Sequence, residues 1–266
     1  GLIGKDGNDS MILYTLSKAC LGNKDFACSR DTLRKVIDLS PKFTPAYLDL
    51  GQIYELTKEM GKAESSYKKC LEIEPYSVEG LVALTDLYIS TNRYKDATEQ
   101  LIKLKQLSDD AQIARKLALL QLQQGKFEDA LANLMTIKEI SVEDSYYLGI
   151  TYTKLDRLAD ALDALSEIPL TGRMGCETVM LRASILKELG RGKEAIDELV
   201  AAWDYFSPKA ACKEVGYLLA TELDTAGRRD EGMEVAQKIL KDNPHDPIAL
   251  NMVGYVWADQ GINLDK

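Results

Sequence analysis

The chain of 266 residues is poor in the groups that carry most enzyme chemistry. It has one histidine, His245, set in the loop-like stretch NPHDP. General acid–base catalysis wants a titratable group in a cleft with an oriented partner, and one loop histidine builds neither a Ser/His/Asp nor a Cys/His set. Basic residues are in deficit, at 33 against 42 acidic ones, giving a formal net charge of −9. That argues against a nucleic-acid partner, which asks for clustered Lys and Arg. No run of about 20 apolar residues occurs, so no helix is expected to span a membrane. No basic-then-apolar leader opens the chain either. Phosphate-loop spacing is missing too: GRGK at Gly190–Lys193 has Lys187 where the first glycine would stand. The acidic residues are scattered without a calcium-loop spacing. No cofactor or metal is expected, and the chain reads as a non-enzyme.

Five cysteines, Cys20, Cys28, Cys70, Cys176 and Cys212, show neither C-x-x-C spacing nor a regular framework. Cys20 and Cys70 fall at core-like positions, so the cysteines are read as buried free thiols. The alternative is a Cys20–Cys28 bridge across one hairpin. The odd count leans towards a reducing compartment.

What the chain does have is periodicity. In Thr44–Ser77, TPAYLDLGQIYELTKEMGKAESSYKKCLEIEPYS, the residues Leu50, Gly51 and Tyr54 share one helical face. Ala63 and Tyr67 share a second, and Pro75 closes the unit. Small residues at Gly51 and Ala63 let two helices approach to about 8 Å. Gly61 is assigned to the turn, where a positive φ suits glycine. A hairpin of this kind cannot cover both its faces and needs neighbours.

The pattern recurs at 10, 44, 78, 111, 142, 176, 213 and 247. The first unit carries Leu13, Leu16 and Cys20, then Leu33, Val36 and Ile37, with Ser17 and Ser29 as its small pair. The later core positions include Leu81, Leu84, Tyr88 and Leu101; Leu117, Gln121 and Leu134; Leu148, Gly149 and Leu165. They continue through Ala183, Leu186 and Leu199 to Leu219, Leu223 and Ile239. Arg182 stands where a leucine is expected, so Leu181 is expected to turn inward instead. The expected fold is all-α, seven full helical hairpins and a truncated eighth over 10–266, after a flexible end or tag remnant at 1–9. The last unit leaves Leu250, Val253, Val256 and Trp257 without a following helix, which implies self-association through that face.

These offsets resemble the tetratricopeptide repeat, a helix–turn–helix of about 34 residues. The resemblance implies a right-handed α-solenoid that binds a protein or peptide in its concave groove. Its second reading is the non-catalytic repeat region of a larger enzyme, envelope-assembly or secretion machine. It also implies which positions line the groove: Tyr14 and Lys18; Leu48, Gln52 and Glu55; Val82, Asp86 and Ile89. Further along these are Arg115, Leu119 and Leu122; Tyr146, Ile150 and Lys154; Met180, Ser184 and Lys187; Tyr217, Thr221, Asn251 and Tyr255. The chaperone-binding variant of the family needs Lys at position five and Asn at position nine of its first repeat, and no unit here has that pair. Tyr146 and Tyr147 are adjacent, so one of the two is expected to face the core. The stretch Ala249–Lys266, ALNMVGYVWADQGINLDK, resembles late repeats of bacterial tetratricopeptide proteins, many of them envelope lipoproteins. It tips the expected compartment towards the periplasmic side of the cell envelope, with the cytoplasm as the alternative.

Overall fold

A computed structural model describes residues 7–207 and 212–259. Among them there are fifteen α-helices and no strand. They fall into two compact units, Gly1–Ile137 and Lys138–Lys266. The first holds α1 (Gly7–Gly22), α2 (Phe26–Leu39), α3 (Thr44–Leu56), α4 (Met60–Ile73), α5 (Val78–Ser90), α6 (Tyr94–Leu107), α7 (Ala111–Gln123) and α8 (Phe127–Leu134). The second holds α9 (Val142–Lys154), α10 (Leu158–Ser166), α11 (Gly172–Glu188), α12 (Gly192–Phe206), α13 (Lys213–Thr225), α14 (Arg229–Asp242) and α15 (Pro247–Asp259). Within each unit the helices pair as hairpins, α1 with α2 through α13 with α14, and each later odd-numbered helix packs on the even one before it, α15 on α14 included. No helix among the described residues is long and apolar enough to cross a membrane.

The backbone marks the repeat directly. Outside glycine, a positive φ costs roughly 1–2 kcal/mol per residue, yet each hairpin turn places one residue there. These are Lys24, Lys58, Asn92, Gly125, Asp156, Gly190 and Gly227. Their spacings of 34, 34, 33, 31, 34 and 37 residues are those of the sequence pattern. The turn assignment of Gly61 is therefore corrected. Gly61 lies inside α4 with open space beside it, and Lys58 takes the left-handed position at φ 61°. The chain reverses within a fixed number of residues after the first helix, and it does so whatever side chain falls there.

Helix starts are capped from the sequence. Asp25 accepts from the Cys28 N–H at 2.9 Å, Asp110 from Gln112 at 2.8 Å, and Ser77 from Gly80 at 3.2 Å. Ser141 and Asp144 cap α9 reciprocally. Asp246 accepts from Ile248 and Ala249 at the head of α15.

The core follows the small-and-large pattern. Leu33, Leu50, Tyr67, Leu81, Leu101 and Leu117 are fully or nearly buried in one cluster of the first unit. In the second unit Val179, Leu199, Trp203, Phe206, Leu219 and Ile239 form one cluster, and Leu158, Leu165 and Ile185 another. Each such side chain contributes about 1.5–3 kcal/mol by leaving water. Ser17 and Ser29 are both buried, and the Ser29 hydroxyl donates to the Ser17 carbonyl at 2.8 Å, so the first crossing stays close.

Several expectations are corrected. Leu16 and Leu250 are exposed, because the helix turns Ser17 and Val253 inward instead. At the crossing of α3 and α4, Gly51 lies under the ring of Tyr67, so the glycine makes room for a large side chain, and Ala63 is buried in its own right. Helix α11 begins at Gly172, ahead of Cys176. Arg182 is half-buried and bonds both Glu198 oxygens at 2.9 and 2.6 Å, so the unit accepts it by pairing its charge. Leu181 is partly buried against the cluster of Leu165 and Ile185.

The largest correction concerns the cysteines. Cys20 is bonded to Cys28 and Cys176 to Cys212, leaving Cys70 as a buried free thiol. The first pair meets because a tight hairpin returns the start of α2 to the end of α1, with Cα atoms 5.8 Å apart. The second meets because residues one repeat apart stack on neighbouring helices, here with Cα atoms 6.0 Å apart. The alternative reading of the Cys20–Cys28 pair is the one observed.

Candidate functional site

The site is built from the first helix of each hairpin, because the second helix covers only one of its faces. In the first unit α1 carries Tyr14, α3 carries Leu48 and Gln52, α5 carries Val82 and Asp86, and α7 carries Arg115 and Leu119. In the second unit α9 carries Tyr146, Ile150 and Lys154, and α11 carries Met180 and Lys187. Tyr217 and Thr221 lie on α13, Asn251 and Tyr255 on α15. None of these sixteen side chains is buried, although their helices also supply much of the core. Tyr255 is the most open of the aromatics among them, at 63%.

The structure brings some of them together and assigns others to packing. Val82 and Asp86 line a cavity of about 220 Å³ with Ile113 and Lys116. Thr221, Asn251 and Tyr255 line one of about 180 Å³, floored by Met233, Ala236 and Met252. Met180 opens onto a third, of about 380 Å³, beside the Cys176–Cys212 bridge. By contrast, Tyr146 packs on the cluster of Leu158 and Leu165, and Tyr14 stacks edge-on against Phe43 with ring centres 5.0 Å apart. Tyr217 is a strut: its hydroxyl donates to Asp246 at 2.6 Å. Burial, and after it that bond, push the Tyr217 hydroxyl above its ordinary range.

Charge on this face is matched from one repeat to the next. Lys18 of α1 bonds Asp49 of α3 at 2.7 Å, and Lys116 of α7 bonds Asp86 of α5 at 3.4 Å. Lys187 of α11 bonds Glu222 of α13 at 2.6 Å. Lys213, at the head of α13, bonds Asp246 at 2.9 Å, and this hydrogen bond raises its ammonium to about 12. Asp86 and Lys187 are thus tied into the scaffold. Their partners Lys116 and Glu222, together with Asp49, escaped the reading of the sequence. The only signal available for them was opposite charge about one repeat apart.

Residues 44–77 match the family model described as Tetratricopeptide repeat. That match covers one unit of the chain, and the recurring hairpin with its spacing carries the same repeat through the other described units. The chain is a tetratricopeptide repeat protein. It is 23% identical over 186 residues to Superkiller protein 3 of Schizosaccharomyces pombe, covering 65% of this chain and 13% of that protein. Its fold is similar to a chain of Naa15/Naa10 bound to HypK-THB, with a TM-score of 0.61 at 18% identity over 97% of this chain and 40% of the other. It is also similar to a tetratricopeptide repeat protein from Parabacteroides merdae, with a TM-score of 0.55 at 13% identity over 93% and 98%. This tetratricopeptide chain therefore spans less than half the length of the first two proteins. Tetratricopeptide repeats are generally protein-interaction scaffolds, and the fold is typically non-catalytic.

Proposed function

We propose that each of the two units holds an extended peptide segment of a partner protein along its own first-helix face, as a groove. The observation that carries this is that apolar side chains such as Leu48, Val82, Ile150 and Tyr255 stay unburied on helices that otherwise form the core. Leu48, Val82, Leu119, Ile150, Met180 and Tyr255 supply apolar anchors, and Gln52, Thr221 and Asn251 supply polar contacts between them. Because Lys18, Lys116, Lys187 and Lys213 are already paired with acids, the face suits an apolar, weakly charged segment better than an acidic one. The neighbour solved with HypK-THB bound is an instance of a like fold within a protein complex. The two bridges and the resemblance of Ala249–Lys266 to envelope proteins both support an oxidising compartment, of which the periplasmic side of an envelope is one.

The test is a displayed random-peptide selection on the chain, followed by affinities of the enriched peptides. Binders should share spaced apolar residues, change little in affinity with salt, and lose binding to Ile150→Glu and Tyr255→Glu chains of unchanged melting temperature. Enriched peptides that are acidic, strongly salt-dependent and indifferent to both variants would overturn the reading.

A further inference from the structure

Beside Met180 of that face, α11 and α13 gather a cluster of sulfur and oxygen donors. Cys176 is buried near the start of α11, and Cys212 caps α13 from the left-handed backbone region at φ 54°. Glu214 follows in the first turn of α13. The donor atoms of these three lie within 4.8 Å of one another. They face the cavity of about 380 Å³, which Met180, one turn beyond Cys176, also lines. A water occupies about 30 Å³, so there is room for an ion and its remaining waters. Arg173 also lines the cavity, but its guanidinium bonds Glu177 at 2.6 Å and is turned to solvent. The other bridged pair is different in kind. Among the described residues, no third His, Cys, Asp or Glu donor closes on Cys20 and Cys28 within that distance.

We propose that Cys176 and Cys212, once reduced, form with Glu214 a binding site for one thiophilic divalent cation of the Zn²⁺ class. Two thiolates, a carboxylate and a water make the four-coordinate set such an ion takes, and the thiolates select against hard cations. Met180 adds a soft wall on the open side. The bridge and the chelate are alternative states of the same two sulfurs. A dithiol reductant opens the bridge by exchange: its two sulfurs bond to each other as the protein S–S bond breaks, and its two protons pass to Cys176 and Cys212. The cation then replaces those two protons, which leave to solvent, and no electron moves in that second step.

The experiment uses the full chain, reduced with dithiothreitol, freed of it by anaerobic gel filtration, and titrated with Co²⁺ as a spectroscopic substitute for Zn²⁺. Reduced protein should take up one equivalent with a thiolate-to-cobalt charge-transfer band that Zn²⁺ abolishes, and oxidised protein should take up none. Cys176→Ser and Cys212→Ser should lose the band, and Cys20→Ser should keep it. Glu214→Gln, a change on an exposed side chain, should weaken uptake about tenfold or more while the helical spectrum holds. No cobalt band in the reduced wild type would overturn the proposal. So would equal loss in Cys20→Ser, or unchanged affinity in Glu214→Gln.

Discussion

The ring of Tyr67 lies where a side chain at position 51 would grow, and its hydroxyl donates to Glu55 at 2.5 Å, which fixes the ring in place. The same relation recurs in the second unit, where a Cβ at Gly149 would come within 2.5 Å of Leu165. Gly51→Leu and Gly149→Leu should each destabilise by about 1–3 kcal/mol through overpacking. Gly61→Ala should instead stabilise by about 0.5–1 kcal/mol, since that glycine is helical with open space around it. Thermal melts of the three variants separate the two kinds of glycine.

Lys58 holds the left-handed turn position that Gly125, Gly190 and Gly227 hold elsewhere. Lys58→Gly should raise stability by about 0.5–1 kcal/mol, the relief of backbone strain less the entropy glycine adds to the unfolded chain. A lowered urea midpoint would show that the lysine makes contacts worth more than its strain.

Acid should loosen the fold. Burial pushes the Glu64 carboxyl up, but hydrogen bonds from Lys68, Arg93 and Tyr88 outweigh it and hold it down at about 2. The hydrogen bond from Tyr217, then the one from Lys213, hold the Asp246 carboxyl well below its usual range. Both groups bind protons more readily unfolded than folded, so their stabilisation is complete above about pH 5 and fades as pH falls from about 4.5 towards 2. Urea midpoints should fall between about pH 7 and pH 3, and Asp246→Asn should reduce that fall.

Reduction should destabilise unequally. By loop-closure entropy, the Cys176–Cys212 bridge, with a sequence separation of 36, contributes about 4 kcal/mol, and Cys20–Cys28, with a separation of 8, about 2–3. Melts of Cys212→Ser and Cys28→Ser chains should rank in that order.

The repeat register was legible because small residues recur wherever two helices pack closely: Gly51 and Gly149 make room for Tyr67 and Leu165, and Ala63 and Ala161 are fully buried. The turn was not: its left-handed residue is set by where the hairpin closes, and Lys58 carries no mark of that. The Cys176–Cys212 pairing needed the stacking of one repeat on the next, although a separation close to the local repeat length was a hint. Face positions could be carried over by resemblance. Their charge partners Asp49, Lys116 and Glu222 depend on the stagger between hairpins, which residue spacing leaves open.

The bridge from Cys176 to Cys212 also sets how this stretch behaves as a material under load. A pull on the two ends would pay out residues on either side of it while withholding a loop of roughly 120 Å of extended contour. Because α12 and its buried Trp203 and Phe206 lie inside that loop, they bear no tension. When the load is released, the neighbouring helices have an unstretched hairpin to rewind against.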